Sequence, residues 1–261
     1  MTPAALLERL VERSAARGSL PVIVRPARSA AELDEVVALR ARGYGRHDPA
    51  MAPTAPDAYD LQPNATVLIA VCKRTTAIVG TMRVVVSDGL HPLECEPFSP
   101  VPLAPYGRLA EAVRLVLAPS RDSPLVKFAL WKAYMEIARH RRVDNMLVAA
   151  RRPIDADYRS ILFEDLTPEP HWFAPGHGFE EPHCIMRLAL EGLEARPGVA
   201  GHPLYRFCFE QAHAIDIRPL ADDGINPLSR LATRDRTARR AESAAAGAGE
   251  TAPAYGPLLP A

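Results

Sequence analysis

The sequence predicts a mixed α/β fold, a central sheet covered by helices on both faces. Three observations carry this reading. Two strong strand-like runs, Thr66–Cys72 and Ala77–Ser87, are separated only by the short KRTT segment, as in a hairpin. Further along, apolar runs alternate with amphipathic helices, the pattern of βαβ-like units. Hairpin-linked strands followed by crossover units give a sheet that is neither purely parallel nor purely antiparallel.

Each element follows from local pattern. Residues 4–17 predict a short amphipathic helix, and Pro21–Pro26 (PVIVRP) reads as the first strand. Ser29 with Glu32 three residues later predicts a capping box, after which Leu33, Val36, Val37 and Tyr44 recur at helical spacing. Residues 46–64, rich in Pro, Asp and Ala, predict an irregular excursion. After the hairpin, residues 88–107 hold five prolines and read as a long loop, a place where function concentrates. Leu109–Ala118 is the next strand. Ser123 is placed to cap a helix with Pro124 at its first position, and that helix extends to about Arg142 on a stripe of Val126, Leu130, Ala133, Tyr134 and Ile137. Asn145–Ala150 is a buried strand, residues 155–165 a short helix, and Cys184–Leu190 the last strand. From about Asp222 apolar patterning fades, and its TRDRTARR run reads as a solvated charge run. The division expected is 1–20 as an N-terminal amphipathic helix, 21–220 as one domain and 221–261 as a disordered tail.

Composition narrows the function classes. Lys plus Arg equals Asp plus Glu at 31 each, so no global field favours nucleic acid or a membrane surface. No apolar run approaches the roughly 20 residues of a membrane span, and the N-terminus lacks the apolar core of a leader, so a cytoplasmic protein is expected. Cys72, Cys95, Cys184 and Cys208 show no metal-ligand spacing and read as reduced, packed thiols. His171, His177 and His183 recur every six residues, on neither a helical nor a strand face, so no metal site is expected. The glycines form neither GxGxxG nor a P-loop, and no serine sits in GxSxG.

The informative residues are charges in apolar surroundings. Arg40 lies on the apolar side of its helix with Val36 and Tyr44; Asp57 and Asp60 sit in DAYD; Arg83 interrupts GTMRVVV; Glu111 and Arg114 interrupt EAVRLVL. A buried unpaired charge is costly, so these positions need partners or water. Glu111 reads as a base, as an anchor for a cationic amine, or as a salt-bridged residue at a sheet edge, and spacing leaves all three open. In a regular strand Glu111 and Arg114 face opposite ways, so any shared cleft requires a β-bulge.

Taken in order, the helix Arg with an aromatic four residues on, the DxYD loop, Gly-x-x-Arg and Glu-x-x-Arg resemble the acyl-homoserine-lactone (autoinducer) synthases and their relatives, the long-chain N-acyl amino acid synthases. Both belong to the GNAT acyltransferase superfamily. The resemblance covers residues 22–190. It implies the GNAT-like acyl-CoA N-acyltransferase fold, a mixed and mostly antiparallel sheet in which the strand of Glu111 splays from the strand of Val148 around an acyl-pantetheine arm. It further implies transfer of a fatty acyl group from a thioester to a primary amine, with no bound cofactor. Glu111 would be the catalytic base or amine-positioning group, backbone N–H groups near the bulge would hold the oxyanion, and Arg40, Tyr44, Asp57, Asp60, Arg83 and Arg114 would shape the acceptor side.

Two departures refine it. Where CoA-using relatives carry a glycine-containing pyrophosphate loop, this chain reads SRDSPLVK, which favours a carrier-protein donor over acyl-CoA. Where lactone synthases carry a Trp, it reads Gly45-Arg46-His47-Asp48-Pro49, which favours the amino acid branch. An acidic acyl carrier protein would dock on basic residues, for which Arg139, Arg141, Arg142, Arg151 and Arg152 are the candidates. A lipid product would bring the enzyme to the membrane periphery. An acetyl-CoA-dependent N-acetyltransferase, an autoinducer synthase and a non-catalytic acyl-binding module remain the alternatives.

Overall fold

In the computed structural model the described residues are 19–46, 52–174, 181–196, 201–218 and 226–229, with a few isolated positions besides. Most of the expected helix over 4–17 and of the tail lies outside them. Among the described residues eight strands form one sheet: β1 (Val22–Pro26), β2 (Ala65–Cys72), β3 (Ile78–Val86), β4 (Leu109–Leu117), β5 (Asn145–Arg151), β6 (Glu164–Asp165), β7 (Trp172–Phe173) and β8 (His183–Ala189). Their order is β1-β2-β3-β4-β5-β8-β6, with β7 also on β8. All pairs are antiparallel except β4 with β5, which the crossover helix α2 (Ser123–His140) joins in parallel. The sheet is therefore mixed and mostly antiparallel, as expected.

Helix α1 (Ala30–Tyr44) packs on one face against β3 and β4; α2 packs on the other against β1 to β4. The main core lies under α2, where Leu68, Met82, Val84, Ala110, Met146 and Val148 alternate inward to meet Val126, Leu130 and Tyr134. That periodicity explains why the larger elements were legible. Local details differ. Ser29 does cap α1, its hydroxyl accepting the Glu32 N–H at 3.2 Å, but the Glu32 carboxylate turns instead to the Arg28 N–H and the Arg25 guanidinium of β1. Ser123 is not the cap of α2: Asp122 holds that position, and the Ser123 hydroxyl bonds Ala118 and Ser120 in the preceding turn. The short helix expected over 155–165 ends sooner (α3, Ile154–Arg159) and gives way to β6. Strands of two residues, such as β6 and β7, are too short to show alternation in sequence.

The C-terminal region contributes more than expected. Ile215 bridges Val24 of edge strand β1, with Val24 donating to Ala214 and Asp216 donating back to Val24. Beyond 221, residues 226–229 are packed: Leu228 is buried against Val36, Val67 and Ile69, and the Asn226 amide donates to the carbonyls of Asp60 and Gln62. The tail expected from 221 thus includes a short segment that secures the DAYD loop. Among the described residues no helix is long and apolar enough to cross a membrane. Cys95, Cys184 and Cys208 are buried, as packed thiols would be, whereas Cys72 is only partly so.

Candidate active site

The face of the sheet beneath α1 holds two apolar clusters, one around Val36, Val67 and Ile69 and the other around Val85, Leu109, Leu147 and Ile185. Between them run the charges. Arg83 stands opposite Val67 on β2 and Val113 on β4; Glu111 stands opposite Val85 on β3 and Leu147 on β5. Cross-strand partners share a face, so Arg83 and Glu111 project into the same layer.

Arg114 reaches that layer through a bulge. Arg83 pairs with Val113 and Thr81 with Val116, so two steps along β3 match three along β4. The extra residue falls at Arg114–Leu115, and Arg114 takes φ +55°, a left-handed conformation rare for a side chain of this size. The irregularity demanded by the Glu111/Arg114 spacing is present.

Arg40, Asp60 and Arg83 form the dry end of an ionic network. Asp60, fully buried, accepts from Arg40 Nη1 at 2.7 Å and from Arg83 Nη1 at 2.9 Å. It sits in a single 3-10 turn over Ala58–Leu61 that Asp57 and Asp60 close with reciprocal side-chain caps. Towards solvent, Asp57 accepts from Arg83 Nη2 at 3.3 Å and from Arg114 Nη2 at 3.1 Å. Burial alone would raise the Asp57 carboxyl, but Arg83 and Arg114 hold it below the ordinary range. Tyr59, inside the same motif, places its ring 5.3 Å from the Arg83 guanidinium. The DAYD carboxylates are therefore guanidinium ligands as well as turn formers.

Sequence reasoning missed Glu94. From the proline-rich loop its Oε1 accepts the Arg83 Nε–H at 2.9 Å and also bonds Arg83 Nη2, while Oε2 lies 3.8 Å from Arg114 Nη2. Nothing in HPLECEP, without periodicity and remote from both arginines, singles it out. The Asn226 clamp was missed for the same reason.

Glu111 is fully buried. Its Oε2 accepts the Cys95 N–H at 3.2 Å, and its Oε1 has no hydrogen-bond partner among the described residues. Burial, then the Glu94 charge, push its carboxyl up to about 7. Burial and Glu111 in turn raise the adjacent Cys95 thiol. One residue beyond Glu111, β4 and β5 stop pairing: Ala112/Val148 is their last register pair, although both strands continue. Tyr134 of α2 holds the strands just before they part, its hydroxyl donating to Ala110 O at 2.5 Å and accepting the Leu147 N–H at 3.1 Å. The buried carboxyl therefore lies at the fork of a splayed sheet.

Other expected residues fall elsewhere. Tyr44 ends α1 half-buried, within electrostatic reach of Tyr158 on α3. The five arginines expected to dock a carrier protein do not make one patch. Helix α2 runs antiparallel to β5, so Arg139, Arg141 and Arg142 lie by Arg108, at the start of β4. Arg151 and Arg152 lie at the opposite end, where the fork opens; Arg151 pairs with Glu181 at 2.6 Å and Arg152 stacks 4.6 Å from Trp172. Helix-terminal arginines complement the dipole without serving a ligand, which is why sequence alone grouped the two sets. His183 bonds the Glu181 carbonyl, and His177 lies outside the described residues.

Comparison with known proteins agrees with this architecture. Residues 35–188 match the family model of the N-acyl amino acid synthase FeeM. No curated protein sequence gives a significant match. Among solved structures, FeeM from uncultured soil microbes aligns with a TM-score of 0.58 at 17% identity, covering 69% of this chain and 96% of that one. BjaI, described as a CoA-dependent acyl-homoserine lactone synthase, aligns at 0.54 and 13% identity, covering 80% and 98%. MesI, described likewise, aligns at 0.51 and 16%, covering 74% and 98%. At these identities the structural likeness is one of fold. The family match spans more than half the chain and includes Arg40 with most of its helix, the DAYD turn, Arg83 and the Glu111 fork; the protein belongs to the FeeM family of N-acyl amino acid synthases, acyltransferases of the GNAT fold.

Proposed function

We propose that the protein moves a fatty acyl group from a carrier-protein thioester to the primary amine of an amino acid or related small molecule, with Glu111 as the base. The observation that carries this reading is a fully buried carboxyl, pushed up to about 7, at the point where β4 and β5 part, with one oxygen unpartnered among the described residues. Such a group accepts a proton near neutral pH, which a base for amine attack must do. Glu111 takes a proton from the acceptor nitrogen, directly or through water. The nitrogen forms its bond to the thioester carbon; the carbonyl oxygen carries the negative charge until the C–S bond breaks. The departing thiolate is protonated, leaving an amide and a free thiol. Backbone N–H groups near the bulge are the proposed oxyanion donors. Arg40 suits the acceptor side: Nη1 is tied to Asp60, but Nε and Nη2 are buried without partners among the described residues, donors fitted to a carboxylate.

The turn before α2 supports a carrier-protein donor. There the Ser120 N–H bonds Ser123 Oγ, the Asp122 N–H bonds Ser120 Oγ and the Ser123 N–H bonds the Ser120 carbonyl. Amides that would cradle a CoA pyrophosphate are engaged within the turn, and Asp122 adds negative charge. A carrier protein presents one phosphate there. Such a donor fits a cytoplasmic enzyme working beside the membrane that receives its product.

The test uses purified protein, carrier protein or CoA charged with dodecanoyl or hexadecanoyl chains, and a pool of the common amino acids, with N-acyl products read by mass spectrometry. Turnover from the carrier protein should exceed that from CoA by at least about tenfold, equivalent to roughly 1.4 kcal/mol; equal rates would refute the donor assignment. Arg152→Glu, at the fork, should raise KM for the carrier-protein donor several-fold in low salt, whereas Arg142→Glu should not. The acid limb of kcat/KM should fall near pH 7, because protonated Glu111 cannot accept a proton. A limb near the ordinary carboxylate range would remove Glu111 from that role.

A further inference from the structure

Arg40, Arg83 and Arg114 face Asp57, Asp60 and Glu94, so the ionic network balances without any contribution from Glu111. Glu94 is the one carboxylate of the network that also adjoins Glu111 through the chain itself. Its side chain is fastened to Arg83 and Arg114, and the next residue, Cys95, donates its N–H to Glu111 Oε2 at 3.2 Å. A rigid two-residue connection thus runs from the arginines of the acceptor side to the buried carboxyl. The segment is held further by the Glu96 carboxylate on the Leu93 N–H and by burial of Leu93 and Cys95 in the apolar cluster with Leu147 and Ile185.

We propose that Glu94 is a positioning residue that sets both the orientation and the charge state of Glu111. Its role in catalysis rests on the reading of Glu111 as base, but the coupling itself does not. With Glu94 ionised, a negative charge on Glu111 is the unbalanced one, and the network opposes it. Ionisation of Glu111 is then favoured once a cationic amine arrives beside it, so the base is charged when its substrate is present. Neutralising Glu94 leaves one guanidinium charge in excess, which an ionised Glu111 satisfies.

The groups facing Glu111 from each neighbouring element define the balance. Glu94 and the Cys95 thiol from the loop, Tyr59 from the turn and Tyr134 from α2 lie within electrostatic reach of it, while Arg83 from β3, Arg114 from the β4 bulge and Asp57 and Asp60 from the turn form the charged network behind Glu94. On β5 and β8 the same row continues as apolar Leu147 and then Arg187, which pairs with Glu164. Among these, Glu94 is the charged group whose own backbone and neighbouring amide lie against the Glu111 carboxyl.

The experiment is a titration of the Glu111 side-chain carboxyl by carbon-13 NMR in glutamate-labelled protein, assigned by loss of its signal in Glu111→Gln. The wild-type inflection should lie near pH 7. In Glu94→Gln it should fall by about one to two pH units, the size of shift that loss of one neighbouring like charge gives a carboxyl. Glu96→Gln, whose side chain is exposed and whose amide oxygen can still accept the Leu93 N–H, should move it far less than Glu94→Gln does. Arg114→Gln should move it upward, an opposite sign that no general loosening of the site produces, and it keeps the proposal testable should Glu94→Gln fail to fold. An unmoved inflection in Glu94→Gln, or downward movement in Arg114→Gln, overturns the proposal. Parallel kcat/KM profiles separate the two readings. If the carboxyl inflection moves and the kinetic limb follows, both stand. If it moves and the limb does not, the coupling stands and the assignment of Glu111 as base fails.

Discussion

Glu111→Gln is expected to reduce kcat/KM by about 10²–10⁴, the usual worth of a positioned general base, while leaving the protein folded. The amide is nearly the same shape and can still accept the Cys95 N–H, so loss of turnover would report lost proton acceptance rather than lost structure. The same substitution has a second, opposite consequence for stability. The folded-state value of Glu111, about 7, lies above the ordinary 4.5. A raised carboxyl contributes stability that is fully present below the unfolded value and is lost as pH rises through the folded one. At pH 8 ionised Glu111 therefore costs about 3 kcal/mol relative to acid conditions. Glu111→Gln should accordingly unfold at a higher denaturant concentration than wild type at pH 8, with the gap narrowing towards pH 5. A variant both inactive and less stable at pH 8 would contradict this account of a strained base.

Arg83→Met should be the most damaging substitution in the ionic network, lowering stability by about 3–5 kcal/mol. Arg83 is fully buried and answers three carboxylates at once, Asp57, Asp60 and Glu94. Removing it leaves fully buried Asp60 with Arg40 as its remaining guanidinium and frees the Glu94 loop from β3. The contrast is Arg28→Ala, which breaks a solvent-facing pair with Asp216 and should cost no more than about 1 kcal/mol. Urea denaturation of the two variants compares them directly. A loss for Arg83→Met no larger than that for Arg28→Ala would mean that the network does not organise this part of the fold.

The legibility of the fold followed the length of its elements. Strands β2 to β5 and helices α1 and α2 each bury a long periodic face, and their residue patterns announced them. Two-residue strands β6 and β7 have no pattern to show, and the bridge from Ile215 to β1 is a non-local backbone contact that no local pattern encodes. At the site, the charges on regular elements were visible because they violate an expected pattern: Arg40 on an apolar helix face, Arg83 and Glu111 within apolar strands. Their spacing even demanded a bulge, which Arg114 supplies at φ +55°. Glu94 and Asn226 were invisible because loops set no expectation for a charge or an amide to violate. The arginines of α2 and β5 were misgrouped because nearness along the chain says little about which end of a sheet a residue occupies.

The central claim is that Glu111 at the β4/β5 fork is the base of an N-acyl transfer. Its most direct test is mass spectrometry of lipid extracts from a bacterial host expressing either the wild-type protein or Glu111→Gln at equal soluble levels. New N-acylated amino acids or related amides should accumulate with the wild type and be absent, or reduced at least about a hundredfold, with the variant. Equal accumulation in both strains, or no new N-acyl species in either, would contradict it.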